Sequence, residues 1–181
     1  MENLKILWAS GDSGITDDDI KKLNLIKLHA DDNQNIGRIG HMKNLKKLWA
    51  RGNSGITNDD IKNIDLDELH ASFNPKIGRI SHMKNLKRLW AYGDSGITDD
   101  DIKNLNLIGL YVNNNPKIGR IGHMKNLKIL WACDNSGVID DDITGLNLFK
   151  LHADDNPKIT VVRLEKKLNQ LFKIINHDTY M

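Results

Sequence analysis

The residues best suited to chemistry are rings that recur on a regular spacing: Trp8, His29, Trp49, His70, Trp90, Tyr111, Trp131 and His152. Each stands between a leucine and a small residue, as in Leu7-Trp8-Ala9 and Leu28-His29-Ala30. A strand turns alternate side chains to opposite faces, so the leucine and the alanine share one face and the ring takes the other. Unpaired histidines rarely fill a core, which sends the ring position to solvent. On parallel strands roughly 4.8 Å apart such rings would stack into a column. Tryptophan and tyrosine are favoured anchors at interfaces, so the column is a candidate binding surface; the competing role is a ladder that only stiffens the sheet. Beside it, Ser10, Arg51, Tyr92 and Cys133 differ from one another where the residues around them do not.

Other groups carry weaker signals. His-Ala-Asp-Asp-Asn occurs at 29–33 and 152–156, but the intervening copies read His-Ala-Ser-Phe-Asn and Tyr-Val-Asn-Asn-Asn, so a repeated metal site is not expected. The acidic runs at 17–19, 99–101 and 140–142 lack the alternating ligands and late bidentate glutamate of a calcium loop. Helix capping accounts for them better. Cys133 has no activating base attached by sequence and reads as a surface thiol. The basic His-Met-Lys-Asn-Leu-Lys segments beginning at 41, 82 and 123 are followed by carboxylates in the same unit, which favours a solvated face over a phosphate track.

These residues are positioned by an internal repeat. Leu4, Leu45, Leu86 and Leu127 recur at one constant offset, and Trp8, Trp49, Trp90 and Trp131 recur at the same one. The segments 41–81 and 82–122 differ at 13 of 41 positions and are identical at 28, which implies recent duplication or deliberate idealisation. Each unit divides into a long half such as LKKLWARGNSGIT and a short half such as LDELHASFNPKIG, read as inner repeats of lengths 23 and 18. LxxLxAxxN followed by Ile resembles the leucine-rich repeat, with alanine or valine for the usual third leucine. The resemblance covers residues 1–163, in units starting near 1, 41, 82 and 123. It implies an α/β fold: a right-handed solenoid of eight coils, with a parallel sheet on the concave side and short helices or 3-10 turns on the convex side. Composition rich in Lys, Asn, Ile and Asp also resembles repeat proteins common in protists and their large viruses.

Within a coil, residues 3–12 are expected to hold the first strand. Asp12, Asn33, Asn53, Asn74, Asp94, Asn115, Asn135 and Asn156 then fall where the chain turns. The resemblance implies an asparagine ladder there, with Asp12 and Asp94 as weaker rungs because an ionised carboxylate cannot donate. Gly14, Gly55 and Gly96 permit a bend, and Thr16, Thr57 and Thr98 are candidate N-caps. In the fourth unit Ile139 replaces the threonine, so either Asp140 caps or the helix shifts. Short coils carry Pro75, Pro116 and Pro157 and are expected to be extended or 3-10. Leu164, Leu168, Leu171, Phe172 and Ile175 predict an amphipathic capping helix in the tail, 164–181.

The net charge of +2 favours neither nucleic acid nor a membrane surface, and no apolar run of about 18 residues exists to span a bilayer. The N-terminus has no signal-peptide pattern and the single cysteine cannot pair internally, so a cytoplasmic setting is expected. The expectation is a non-catalytic protein-binding module without cofactor or metal, using Trp8, His29, Trp49, Arg51, His70, Trp90, Tyr92, Tyr111, Trp131 and His152. A carbohydrate or small-ligand binder on the same rings and a self-associating scaffold are the alternatives, with a metal-dependent hydrolase the least favoured. The first coil, with no cap before it, is a candidate for weak homodimerisation.

Overall fold

The computed structural model describes residues 3–160. Eight strands lie in one parallel sheet in chain order: β1 (Ile6–Trp8), β2 (Lys27–His29), β3 (Lys47–Trp49), β4 (Glu68–His70), β5 (Arg88–Trp90), β6 (Gly109–Tyr111), β7 (Ile129–Trp131) and β8 (Lys150–His152). The first is shorter than the 3–12 span expected for it, and the others match its length. The alternation holds in every coil. Leu28, Leu48, Leu69, Leu89, Leu110 and Leu130 are fully buried, as are the alanine or valine two positions on and the methionines Met42, Met83 and Met124. Each such leucine contributes on the order of 1.5–3 kcal/mol by leaving water. The result is a stack of coils with a repeat solenoid's arrangement.

Strand pairing corrects the expected repeat lengths. Trp8 pairs with His29, His29 with Trp49 and Trp49 with His70, so long and short coils are almost equal in length instead of differing as 23 and 18 would. The physical reason is that a parallel ladder needs neighbouring coils of nearly equal circumference. The long coil's single extra residue is absorbed in the turn after its strand. In a short coil the turn closes from Asn33 N–H to Ala30 C=O, whereas in a long coil it closes one position later, from Ser54 N–H to Arg51 C=O.

That shift also divides the asparagine column. In the short coils Asn33, Asn74, Asn115 and Asn156 are buried. Each donates from Nδ2 to the alanine carbonyl of the preceding coil, as Asn74 does to Ala50 at 2.8 Å. Each also accepts, on Oδ1, a backbone N–H from two positions ahead. In the long coils Asp12, Asn53, Asp94 and Asn135 are exposed. Buried Ser54, Ser95 and Ser136 replace them, each hydroxyl accepting the N–H two positions on. Asp94 is therefore not a weak rung; its carboxylate pairs with Lys117 Nζ at 3.0 Å.

One residue per coil in these turns has φ between 54° and 60°. Gly11, Gly52, Gly93, Asp32, Asn114, Asp134 and Asp155 suit that conformation; Phe73, at φ 58° and half exposed, does not. Gly55 and Gly96 serve close approach rather than a bend. A Cβ on Gly96 would lie 2.5 Å from the carbonyl oxygens of Pro75 and Ile77 on the previous coil.

Only long coils carry helices among the described residues: α1 (Asp17–Ile20), α2 (Asn58–Ile61), α3 (Asp99–Ile102) and α4 (Asp140–Ile143). Thr16, Thr57 and Thr98 are the N-caps, and the carboxylate three positions on accepts both the backbone N–H and the hydroxyl of the cap. The fourth helix keeps its register with Ile139 at the cap, so neither alternative raised by the sequence holds; Asp142 accepts only the Ile139 N–H. The first helical residue brackets the next coil instead, as Asp17 does in accepting the N–H groups of Gly37 and Arg38. The expected capping helix at 164–181 lies outside the described residues.

Two outcomes follow for stability. Asn115→Ala strands a buried carbonyl and N–H and should destabilise by about 1–3 kcal/mol, whereas Asp94→Asn should stay within about 0.5 kcal/mol; urea midpoints would separate them. Ile139→Thr should stabilise by about 1 kcal/mol at neutral pH by restoring the cap. Hydrogen bonds from Thr16 N–H and hydroxyl lower the Asp19 pKa, whereas burial raises that of Asp142. Asp142 therefore costs stability as pH rises through its titration. The new hydroxyl favours the ionised carboxylate, so the gain should be full above the carboxylate range and vanish on acidification.

Candidate partner-binding surface

The alternation that buries leucine and alanine places three rows of residues on the opposite face of the sheet. The first residue of each strand forms one row: Ile6, Lys27, Lys47, Glu68, Arg88, Gly109, Ile129 and Lys150. The third residue forms the ring row, Trp8, His29, Trp49, His70, Trp90, Tyr111, Trp131 and His152, brought together by a strictly in-register pairing. Two positions further on, Arg51, Tyr92 and Cys133 alternate with Asp31, Ser72 and Asn113.

The rings are not a uniform stack. Trp8, His29 and Trp49 form a near-parallel sandwich with centroids 3.5 and 4.1 Å apart, and Lys27 Nζ lies over both tryptophans at 5.0 and 4.7 Å. Trp90 and Tyr111 stack at 4.6 Å with 6° between planes. Elsewhere the rings tilt: His70 on Trp90 at 39°, Tyr111 on Trp131 at 58°, Trp131 on His152 at 43°. Trp49 and His70 make no ring contact; His70 meets Tyr92 edge-on instead. Exposure follows the packing, from Trp8 at 68% to His29 at 6%.

Electrostatics polarise the surface. Glu68 is clasped by Lys47 at 3.1 Å and Arg88 at 2.9 Å, and Lys150 Nζ sits over Trp131 at 5.5 Å. Arg51 reaches Asp32 at 3.6 Å. Burial lowers the pKa values of His29 and His70, which favours neutral imidazoles. Burial beside Tyr111 and Cys133 pushes the Tyr92 phenol up to about 12, leaving it protonated as a hydrogen-bond donor, and burial raises the Cys133 thiol.

Sequence reasoning missed the first-residue row, although Lys27, Glu68, Arg88 and Lys150 stand two positions before a ring and share its face by the same alternation. It also missed that Asp31, Ser72 and Asn113 are structural: each accepts the backbone N–H of Arg51, Tyr92 or Cys133 on the next coil. Among the described residues no three His, Cys, Asp or Glu side chains are grouped to hold a metal ion, and no helix is long and apolar enough to cross a membrane. No family model matches the sequence, and no curated protein matches it.

The buried His29 and half-buried His70 imidazoles set a pH dependence. With folded pKa values below the unfolded value, the unfolded state binds more protons, so stability is full above the ordinary histidine range and falls as pH drops below about 6.5. Thermal melts between pH 7.5 and 5.5 should show this loss, and His70→Gln should reduce it.

Proposed function

We propose that the chain is a non-catalytic leucine-rich-repeat solenoid, coiled right-handed, that binds a protein partner across the ring-bearing face of its sheet. The observation that carries this reading is the outward row of eight rings. It is flanked by a charged row and by Arg51, Tyr92 and Cys133, which differ where the surrounding scaffold is repeated. Aromatic and arginine side chains are the residue types that dominate protein interfaces. Sugars are bound on open ring faces, whereas the inner faces of the Trp8–His29–Trp49 and Trp90–Tyr111 stacks are covered by neighbouring rings. That favours a protein over a carbohydrate. On the helical side, Asp17 and Asp99 are engaged in holding adjacent coils together.

The test is a double substitution, Trp49→Ala with Trp90→Ala. Both rings are half-buried and neither is in the leucine core, so the fold should survive, with loss of stacking costing about 0.5–1.5 kcal/mol per pair. Affinity for a captured partner should fall by about 2 kcal/mol or more, some thirtyfold, as for central aromatic hot spots. A folded double variant that binds the same partner at full affinity would assign the rings to sheet stiffening alone.

A further inference from the structure

A second site lies at the edge where the chain enters the strands. Lys84, Lys87, Asn106, Ile108, Asn126 and Lys128 line an open cleft of about 440 Å³. Lys87, Ile108 and Lys128 immediately precede β5, β6 and β7. Backbone bonds fix them side by side, from Ile108 N–H to Lys87 C=O at 2.8 Å and from Lys128 N–H to Ile108 C=O at 2.9 Å. Lys128 Nζ donates to Asn147 C=O at 3.1 Å, while Lys84 and Lys87 make no side-chain hydrogen bond or ion pair among the described residues. Asp67, on the coil beside Lys87, forms no ion pair with it.

The duplication supplies an internal comparison. At the same positions one unit earlier stand Lys43, Lys46, Asp65, Asp67, Asn85 and Lys87. There Asp65 accepts both the backbone N–H and the side-chain amide of Asn85, and two acids, Asp65 and Asp67, occupy the equivalent positions. In the third unit Asn106 and Ile108 replace those two carboxylates. Three lysines and two carboxamides then line the cleft, with no acid among the lining residues. This differs from the helix-end lysines Lys21, Lys62 and Lys103, each of which has a carboxylate within 3.5 Å.

We propose that this cleft binds a phosphate group, with Lys84, Lys87 and Lys128 supplying charge and the Asn106 and Asn126 amides supplying neutral donors. A phosphate monoester carries about −1.5 to −2 charge and three acceptor oxygens, which suits three cations better than a carboxylate's single charge. Lysine binds phosphate as a point charge, so the site needs no planar fork. The half-exposed Ile108 adds an apolar wall, which suits a phosphate carried on a side chain more than the free ion.

Inorganic phosphate, a phosphoserine pentapeptide and its unphosphorylated form would each be titrated into the full chain at fixed ionic strength, following the side-chain amide resonances of Asn106 and Asn126. Saturable shifts are expected with both phosphates, tighter for the peptide, and none with the unphosphorylated control. Equal affinity for the two phosphates would assign the site to the free ion. Asn106→Asp with Ile108→Asp installs residue types the fold already carries one unit earlier and should weaken binding at least about tenfold, as like charges do at an interface. Asp65→Asn with Asp67→Ile should create a second site beside Lys43, Lys46 and Lys87. Shifts spread evenly over surface lysines, or unchanged by the paired aspartates, would overturn the proposal, as would a folded Asp65→Asn/Asp67→Ile variant with no second site.

Discussion

One side chain ties the architecture together: the buried asparagine of each short coil. Asn74 donates to Ala50 C=O, at the end of the previous coil's strand, and accepts Lys76 N–H in its own turn. It therefore joins two coils where the chain leaves the sheet and must reverse without a regular hydrogen-bond ladder. A buried backbone group without a partner is costly, and here an amide side chain, able to donate and accept at once, does what a second strand would do elsewhere. Long coils carry a buried serine one position later, whose hydroxyl accepts an N–H within its own turn. That offset lets a long coil hold one residue more than a short one while the strands remain in register.

With the turns fixed, the outward face becomes a surface of predictable chemistry but unpredictable rotamers. Strand spacing brings neighbouring rings within stacking range, and the flat sandwich around His29 also accommodates Lys27 between two indoles. Where Glu68 draws Lys47 and Arg88 together, no ring contact spans Trp49 and His70. The ring contacts thus fall into two groups, and the Lys47–Glu68–Arg88 cluster lies in the neighbouring row beside the break. A protein partner on this surface would be read by ring edges and ion pairs rather than by one continuous apolar stripe.

Much of this was legible in the residues. The repeat period, the eight coils, the burial of leucine and alanine and the placement of the rings on the opposite face all follow from Leu-Trp-Ala and Leu-His-Ala alternation; the burial of His29 among its neighbours does not. The threonine caps follow from the residue types around them. The coil lengths did not follow, because a motif boundary drawn through a loop is ambiguous by several positions whereas strand pairing is not. Asp94 was misplaced because its distance from Ala91 equals that of Asn74 from Ala71, and only the later closure of the long turn sends it to solvent. Ring tilt and the lysine cleft depend on contacts between adjacent coils, which are a full turn of the solenoid apart along the chain and which local sequence does not encode.

Each strand pairs only with its sequence neighbours, and two of the units are identical at 28 of 41 positions. A chain of this kind could miscount itself, looping out a whole unit and still stacking a short coil on a long one, a failure to which repeat proteins are prone. Phe73 is one residue that distinguishes otherwise similar units. Its ring lies over Gly93, where a Cβ would come within 2.3 Å of the ring. If the third unit were skipped, Phe73 would meet Asp134, which has a Cβ at the equivalent left-handed position. The phenylalanine at a left-handed position thus packs on a glycine, an aromatic contact that the aspartates and asparagine at the equivalent position of the other short coils do not repeat.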